Sequence, residues 1–120
     1  VNDQEQRFLE LCRHIVEWGE RIPRLIDGRS FQAFAADEAT YLAVWKCVEV
    51  LGEASAGIMR LDPASHERYP GLQLKAAYAM RNQLTHGYAT VDLGILWVTI
   101  RDFVPQMVDE ARVIVLAGDR

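Results

Sequence analysis

Apolar side chains return every three or four residues along most of this chain. The first series is Phe8, Leu11, Cys12, Ile15, Trp18 and Ile22, the spacing of a helix that buries one stripe. Pro23 predicts a kink in its last turn, and Asp27-Gly28 supplies a stop, since glycine tolerates the left-handed conformation that closes helices. Ser30 to Ala36 reads as a short connecting turn or a brief helix. Asp37 is a good N-cap for a second long helix, in which Tyr41, Val44, Trp45, Val48, Leu51 and Ile58 keep the period. Asp62-Pro63 predicts a short helical turn with proline at its first position, where the missing N–H costs nothing, and Tyr69-Pro70-Gly71 ends it. Leu72, Ala76, Met80 and Leu84 define a third helix that ends near Gly87. Thr90 or Asp92 then caps a fourth, carried by Leu93, Leu96, Trp97, Ile100, Val104, Met107, Val108, Ala111 and Val115, with a kink at Pro105.

Ile95 and Val98 add apolar surface outside that last stripe, so the fourth helix wants a second neighbour, either a homodimer face or a crowded core. No alternating run of β-branched residues between turns demands a strand, and no internal repeat is visible. The expected fold is all-α, a bundle of four main antiparallel helices with short helical connections, forming a single domain over residues 1–120. Half of the residues are hydrophobic and a quarter charged, an ordinary globular balance.

The formal net charge of −4 argues against a whole-domain electrostatic footprint for nucleic acid, so any such site must be local. Charge is unevenly spread. Residues 1–59 hold six basic against ten acidic side chains, whereas Arg60 to Val91 hold four basic (Arg60, Arg68, Lys75, Arg81) against two acidic. Cys12 and Cys47 stand apart, with no C-x-x-C pair and no His at zinc-finger spacing, and read as buried thiols of a reducing cytosol. No apolar run approaches the roughly 18 residues of a membrane span, and the start has no signal-like region, so a soluble cytoplasmic protein is expected. No H-E-x-x-H, Glu-x-x-His, P-loop or G-x-G-x-x-G occurs, which removes the usual signatures of zinc hydrolases, di-iron bundles, NTPases and dinucleotide enzymes. No cofactor or metal is expected.

Polar chemistry is concentrated in "RNQLTHGY", Arg81 to Tyr88. Histidine moves protons near neutral pH. Arginine's planar fork matches a phosphate and the extra charge of a phosphoryl transition state. With RNA the 2′-hydroxyl is a built-in nucleophile, so a base, an acid and a cation suffice for cleavage without a metal. Five residues on an ideal helix amount to about 140° of rotation, which separates Arg81 from His86. Either the helix opens at His86-Gly87 and the imidazole folds back, or two chains pair and complete a shared cleft. Asn82 can orient a ligand or the imidazole, and Tyr88 can bond a phosphate or accept a modification. The plainer alternative is a capping His at a helix end with an Arg that only salt-bridges an acid such as Glu53.

The order "VWKCVEVLGEAS", "HERYP", "AMRNQLTHGYATVDLGILWVTI" resembles the HEPN superfamily, and within it the HepT-like toxins paired with MntA-type minimal nucleotidyltransferase antitoxins. The likeness runs roughly from Phe8 to Val115 and is most specific from Met80 to Leu93. It implies an all-α fold with the Arg-x-x-x-x-His-x-Tyr motif between the last two long helices. It also implies a homodimer whose paired motifs form a metal-independent endoribonuclease. Carried over, Arg81 and His86 are the catalytic pair, Asn82 the polar residue that follows the arginine, and Tyr88 the tyrosine to which the partner nucleotidyltransferase adds AMP. RNA is then the substrate.

Four further residues are candidates for the substrate surface. Glu53, among small residues in "LGEAS", can reach and tune Arg81 or His86, while His66, Arg68 and Lys75 extend the positive segment. His14, four residues after Glu10, reads as a surface pair. Trp18, Trp45 and Trp97 fall in the apolar stripes and read as core. A different class remains open: a non-catalytic all-α module that docks a nucleotidyltransferase or holds a nucleotide through the same Arg and His.

Overall fold

A computed structural model describes residues 2–119, and among them every regular element is helical. The first long helix, α1 (Asp3–Ile26), begins where the Asn2 side chain accepts the Glu5 N–H and ends where Asp27 turns left-handed at φ 48°. The left-handed cap therefore falls on Asp27 as well as on Gly28 (φ 72°), and Pro23 sits in the last turn, as its position in the sequence predicts. A brief helix, α2 (Phe31–Ala36), follows, capped by Ser30. Asp37 accepts the Thr40 N–H and starts α3 (Glu38–Leu61).

The next connection differs from expectation. Asp62 accepts the Ala64 N–H, and the short α4 (Ser65–Arg68) starts only after that turn, so Pro63 is not its first residue. Leu72 belongs to a 3₁₀ turn, Pro70–Leu72, and α5 runs from Leu74 to His86. Leu72 keeps the apolar spacing because its side chain is fully buried although it lies outside the helix. A second 3₁₀ turn, Tyr88–Thr90, leads to α6 (Leu93–Val98), which Asp92 caps through the Gly94 and Ile95 N–H groups. Thr90 instead bonds back to the Gly87 carbonyl.

The single fourth helix of the sequence pattern is three segments. A π turn, Thr99–Phe103, joins α6 to α7 (Val104–Gly118), with the Val104 N–H donating to the Thr99 carbonyl. Pro105 explains the device. It has no N–H to donate, and its ring would crowd the carbonyl four residues back, so the helix widens instead of breaking.

Helices α1, α3, α5 and α7 enclose one cluster of buried side chains that includes Ile15, Phe34, Leu51, Ile58, Leu84, Leu96 and Met107. Close approach is set by small residues. A Cβ on Gly19 would lie 2.2 Å from a Val108 methyl, so α1 and α7 meet at a depth that only glycine permits. Trp18, Trp45 and Trp97 pack against the core as expected, with Trp97 against Phe34 at 5.0 Å between centroids. Cys12 and Cys47 are buried and free, and burial pushes the Cys12 thiol up to about 12. Glu10 pairs with Arg7, not with His14. Ile95 and Val98 remain exposed, so in one chain the crowded-core explanation of that surface does not apply.

Candidate active site

The site is built on the seam between α3 and α5, and a glycine decides its depth. A Cβ on Gly52 would lie 2.2 Å from Arg81 Cβ and 2.6 Å from the Ala77 carbonyl oxygen. Only glycine lets the base of the Arg81 side chain sit against the α3 backbone. At that depth Glu53, the next residue, receives Arg81: Nε lies 3.0 Å from Glu53 Oε2. Nη1 donates to Asn82 Oδ1 at 3.0 Å. The arginine is thus oriented by two neighbours, and its side chain remains about a quarter exposed at 26%.

One turn further along α5, the Thr85 hydroxyl donates to Glu49 Oε2 at 2.7 Å. Arg81 pairs with Glu53 and Thr85 with Glu49, so rising numbers on α5 meet falling numbers on α3 and the two helices are antiparallel. The second rung sits beside His86. Helix α5 stays regular to its end, with the Gly87 N–H donating to the Gln83 carbonyl. The imidazole does not fold back toward Arg81: the opening of the helix at His86-Gly87, one of the two routes to convergence, does not occur within the chain. Arg81 and His86 leave α5 about 140° apart.

His86 is exposed, without a hydrogen bond to any described residue, and Tyr88 is exposed at 71% on the 3₁₀ turn directly after it. The tyrosine hydroxyl and the imidazole are both reachable by a large partner.

Of the other candidates, the fold brings only Glu53 to Arg81. Arg68 bonds Asp62, the C-cap of α3, at 2.8 Å, and His66 lies 3.6 Å from Glu67. Asp62 is nine residues beyond Glu53, or about 13 Å along the helix axis. Lys75 is exposed in the first turn of α5. Six residues of helical rotation place it about 120° from Arg81. None of these three joins the Arg81–Asn82–Glu53 group. Sequence reading missed Gly52 as the seat of Arg81 and Glu49 as the partner of Thr85. The available signal was the i, i+3, i+4 spacing of Glu49, Gly52 and Glu53 against the i, i+4 spacing of Arg81 and Thr85. Among the described residues, no three His, Cys, Asp or Glu side chains gather as a metal-ligand set.

An all-α bundle carrying an Arg-x-x-x-x-His-x-Tyr segment at the end of its third long helix defines the class as HEPN-type. The family model described as "Ribonuclease HepT-like" matches residues 15–114, and the chain belongs to that family. It is 32% identical over 101 residues to "Probable ribonuclease HepT" of Thermococcus cleftensis, covering 83% of this chain and 86% of that one. It is 29% identical over 96 residues to a candidate RNase of Methanocaldococcus jannaschii, covering 80% and 77%. A candidate RNase of Caldanaerobacter subterraneus is 29% identical over 94 residues, covering 78% and 81%. No solved structure is a significant match. Membership in a ribonuclease family makes RNA the substrate class and RNA cleavage the reaction class. Among the described residues, no helix is long and apolar enough to cross a membrane.

Proposed function

We propose that this protein is a toxin endoribonuclease that works without a metal, as a homodimer whose two Arg81/His86 sets share one cleft. The observation that carries this reading is the divergence of Arg81 and His86 on an unbroken helix, with both side chains reaching solvent. One chain offers its phosphate-binding cation and its proton carrier in different directions, and a second copy supplies the missing half. In that cleft one His86 takes the proton of the 2′-hydroxyl as its oxygen attacks the adjacent phosphorus. The His86 of the second copy protonates the departing 5′ oxygen, and Arg81 stabilises the charge on the phosphoryl group. The products are a 2′,3′-cyclic phosphate and a free 5′-hydroxyl. Glu53 and Asn82 aim the guanidinium.

Neutralisation follows from Tyr88. An MntA-type nucleotidyltransferase in the same cytoplasm adds AMP to its exposed hydroxyl, two residues from His86. The added bulk and phosphate charge then block the RNA path and compete for Arg81. A second reading rests on the Arg81–Glu53 pair, which already satisfies part of the guanidinium: a non-catalytic module that docks the nucleotidyltransferase or holds a nucleotide. Cleavage of labelled RNA by unmodified protein in EDTA, beside His86→Ala purified identically, separates the two. Cleavage by the wild type alone supports the enzyme. Equal results from both proteins favour the module, and activity lost to EDTA removes the metal-free mechanism.

A further inference from the structure

We propose that Lys46 is a phosphate-binding residue of the RNA cleft, holding a backbone phosphate close to the one at Arg81. The inference rests on the functional reading above and on the register of the α3–α5 seam. Lys46 lies seven residues before Glu53 on α3. That interval is about 20° short of two full turns and about 10 Å along the axis. Lys46 and Glu53 therefore share one stripe of the helix. The Arg81–Glu53 and Thr85–Glu49 rungs fix the direction of α5 along that stripe. Carried one turn further, the same register sets Lys46 across from the end of α5, beside the His86-Gly87-Tyr88 turn.

The chemistry of the stripe makes this position distinct. Glu49 and Glu53 would repel RNA, but each is engaged, one by the Thr85 hydroxyl and the other by Arg81. Lys46 is exposed and takes part in no ion pair among the described residues. A strongly hydrated ammonium on a flexible stem binds phosphate as a point charge without the fixed geometry of arginine. Arg60 is its mirror on the same stripe, also seven residues from Glu53 but toward the opposite end of the seam, away from His86. It provides an internal control for general charge.

The test measures binding of fluorescent single-stranded RNA to His86→Ala protein, alone and combined with Lys46→Gln, Lys46→Arg or Arg60→Gln, across a salt series. Lys46→Gln should weaken binding about five- to tenfold at low salt and reduce the slope of log affinity against log salt by about 0.7, the value of one single-strand phosphate contact. Lys46→Arg should restore both, and Arg60→Gln should change neither. In the cleaving protein Lys46→Gln should raise KM with kcat nearly unchanged. An unaltered slope in Lys46→Gln, an equal loss in Arg60→Gln, or no RNA binding at all overturns the assignment. The two readings fail separately. Lys46-dependent binding by a wild type that does not cleave removes the catalytic proposal alone, whereas normal cleavage and KM in Lys46→Gln removes only the role of Lys46.

Discussion

At the scale of single residues, the guanidinium of Arg81 is held by Nε on Glu53 and Nη1 on Asn82. Lysine in its place keeps the charge but not the planar fork that meets Glu53 and Asn82 at once. Arg81→Lys should therefore lower kcat by about a hundredfold, the order seen when one transition-state donor is lost, while the melting temperature stays close to wild type. RNA cleavage kinetics and thermal melts on the same preparations check this. Asp37 illustrates a residue that matters for folding instead. Hydrogen bonds from the Arg29 and Thr40 side chains and from the Thr40 backbone hold its carboxyl below the ordinary carboxylate range. A depressed folded pKa adds stability that is present above the unfolded value of about 3.9 and lost as pH falls through the folded one. Melting temperatures of wild type and Asp37→Asn should thus converge as the pH is lowered below about 4, and a constant gap would refute the linkage.

At the scale of elements, the α3–α5 seam holds the proposed catalytic arginine in place. Gly52→Ala forces a methyl into the space of Arg81 Cβ and the Ala77 carbonyl. Overpacking of this kind costs about 1–3 kcal/mol, and the displaced arginine should cost activity beyond that. Gly57→Ala on the same helix meets the side-chain ends of Leu11 at 3.1 Å and Arg60 at 3.8 Å and no backbone, and should be milder in both respects. Denaturant melts read beside initial rates would reveal whether Gly52 acts on Arg81 or only on stability. The elements were largely legible in the sequence, because helical period and capping are local. Ser30, Asp37 and Asp92 each cap the helix that follows. The exceptions are instructive: Pro63 lies outside α4 since Asp62 closes a turn before it, and Pro105 widens the last helix into a π turn, which apolar spacing alone cannot distinguish from a kink.

At the scale of the whole molecule, the proposed composite cleft predicts a dose dependence. If both His86 side chains act in one site, random pairing with an equal amount of His86→Ala subunits should leave about a quarter of the activity, the share of wild-type homodimers. A remainder near one half would mean that each chain works alone. Subunits would be mixed under conditions of exchange and rates compared with wild type alone at the same total protein.

The sequence by itself determined the helices, most of their caps, the packing of the tryptophans against the core and the Arg81–Tyr88 segment, because periodicity and capping depend on neighbours within a few positions. Family membership was legible in the same way, through residues in a fixed order. Tertiary structure made the Arg81–Glu53 pair, one of the options open to the sequence, definite, and it alone decided that Gly52 seats Arg81, that Arg68, His66 and Lys75 lie apart from it, and that Thr85 ties the last turn of α5 to Glu49. It also decided that His86 keeps its regular helical direction. These are contacts between residues remote in the chain, and their geometry is set by how closely two helices pack, a depth fixed by the missing side chain of one glycine.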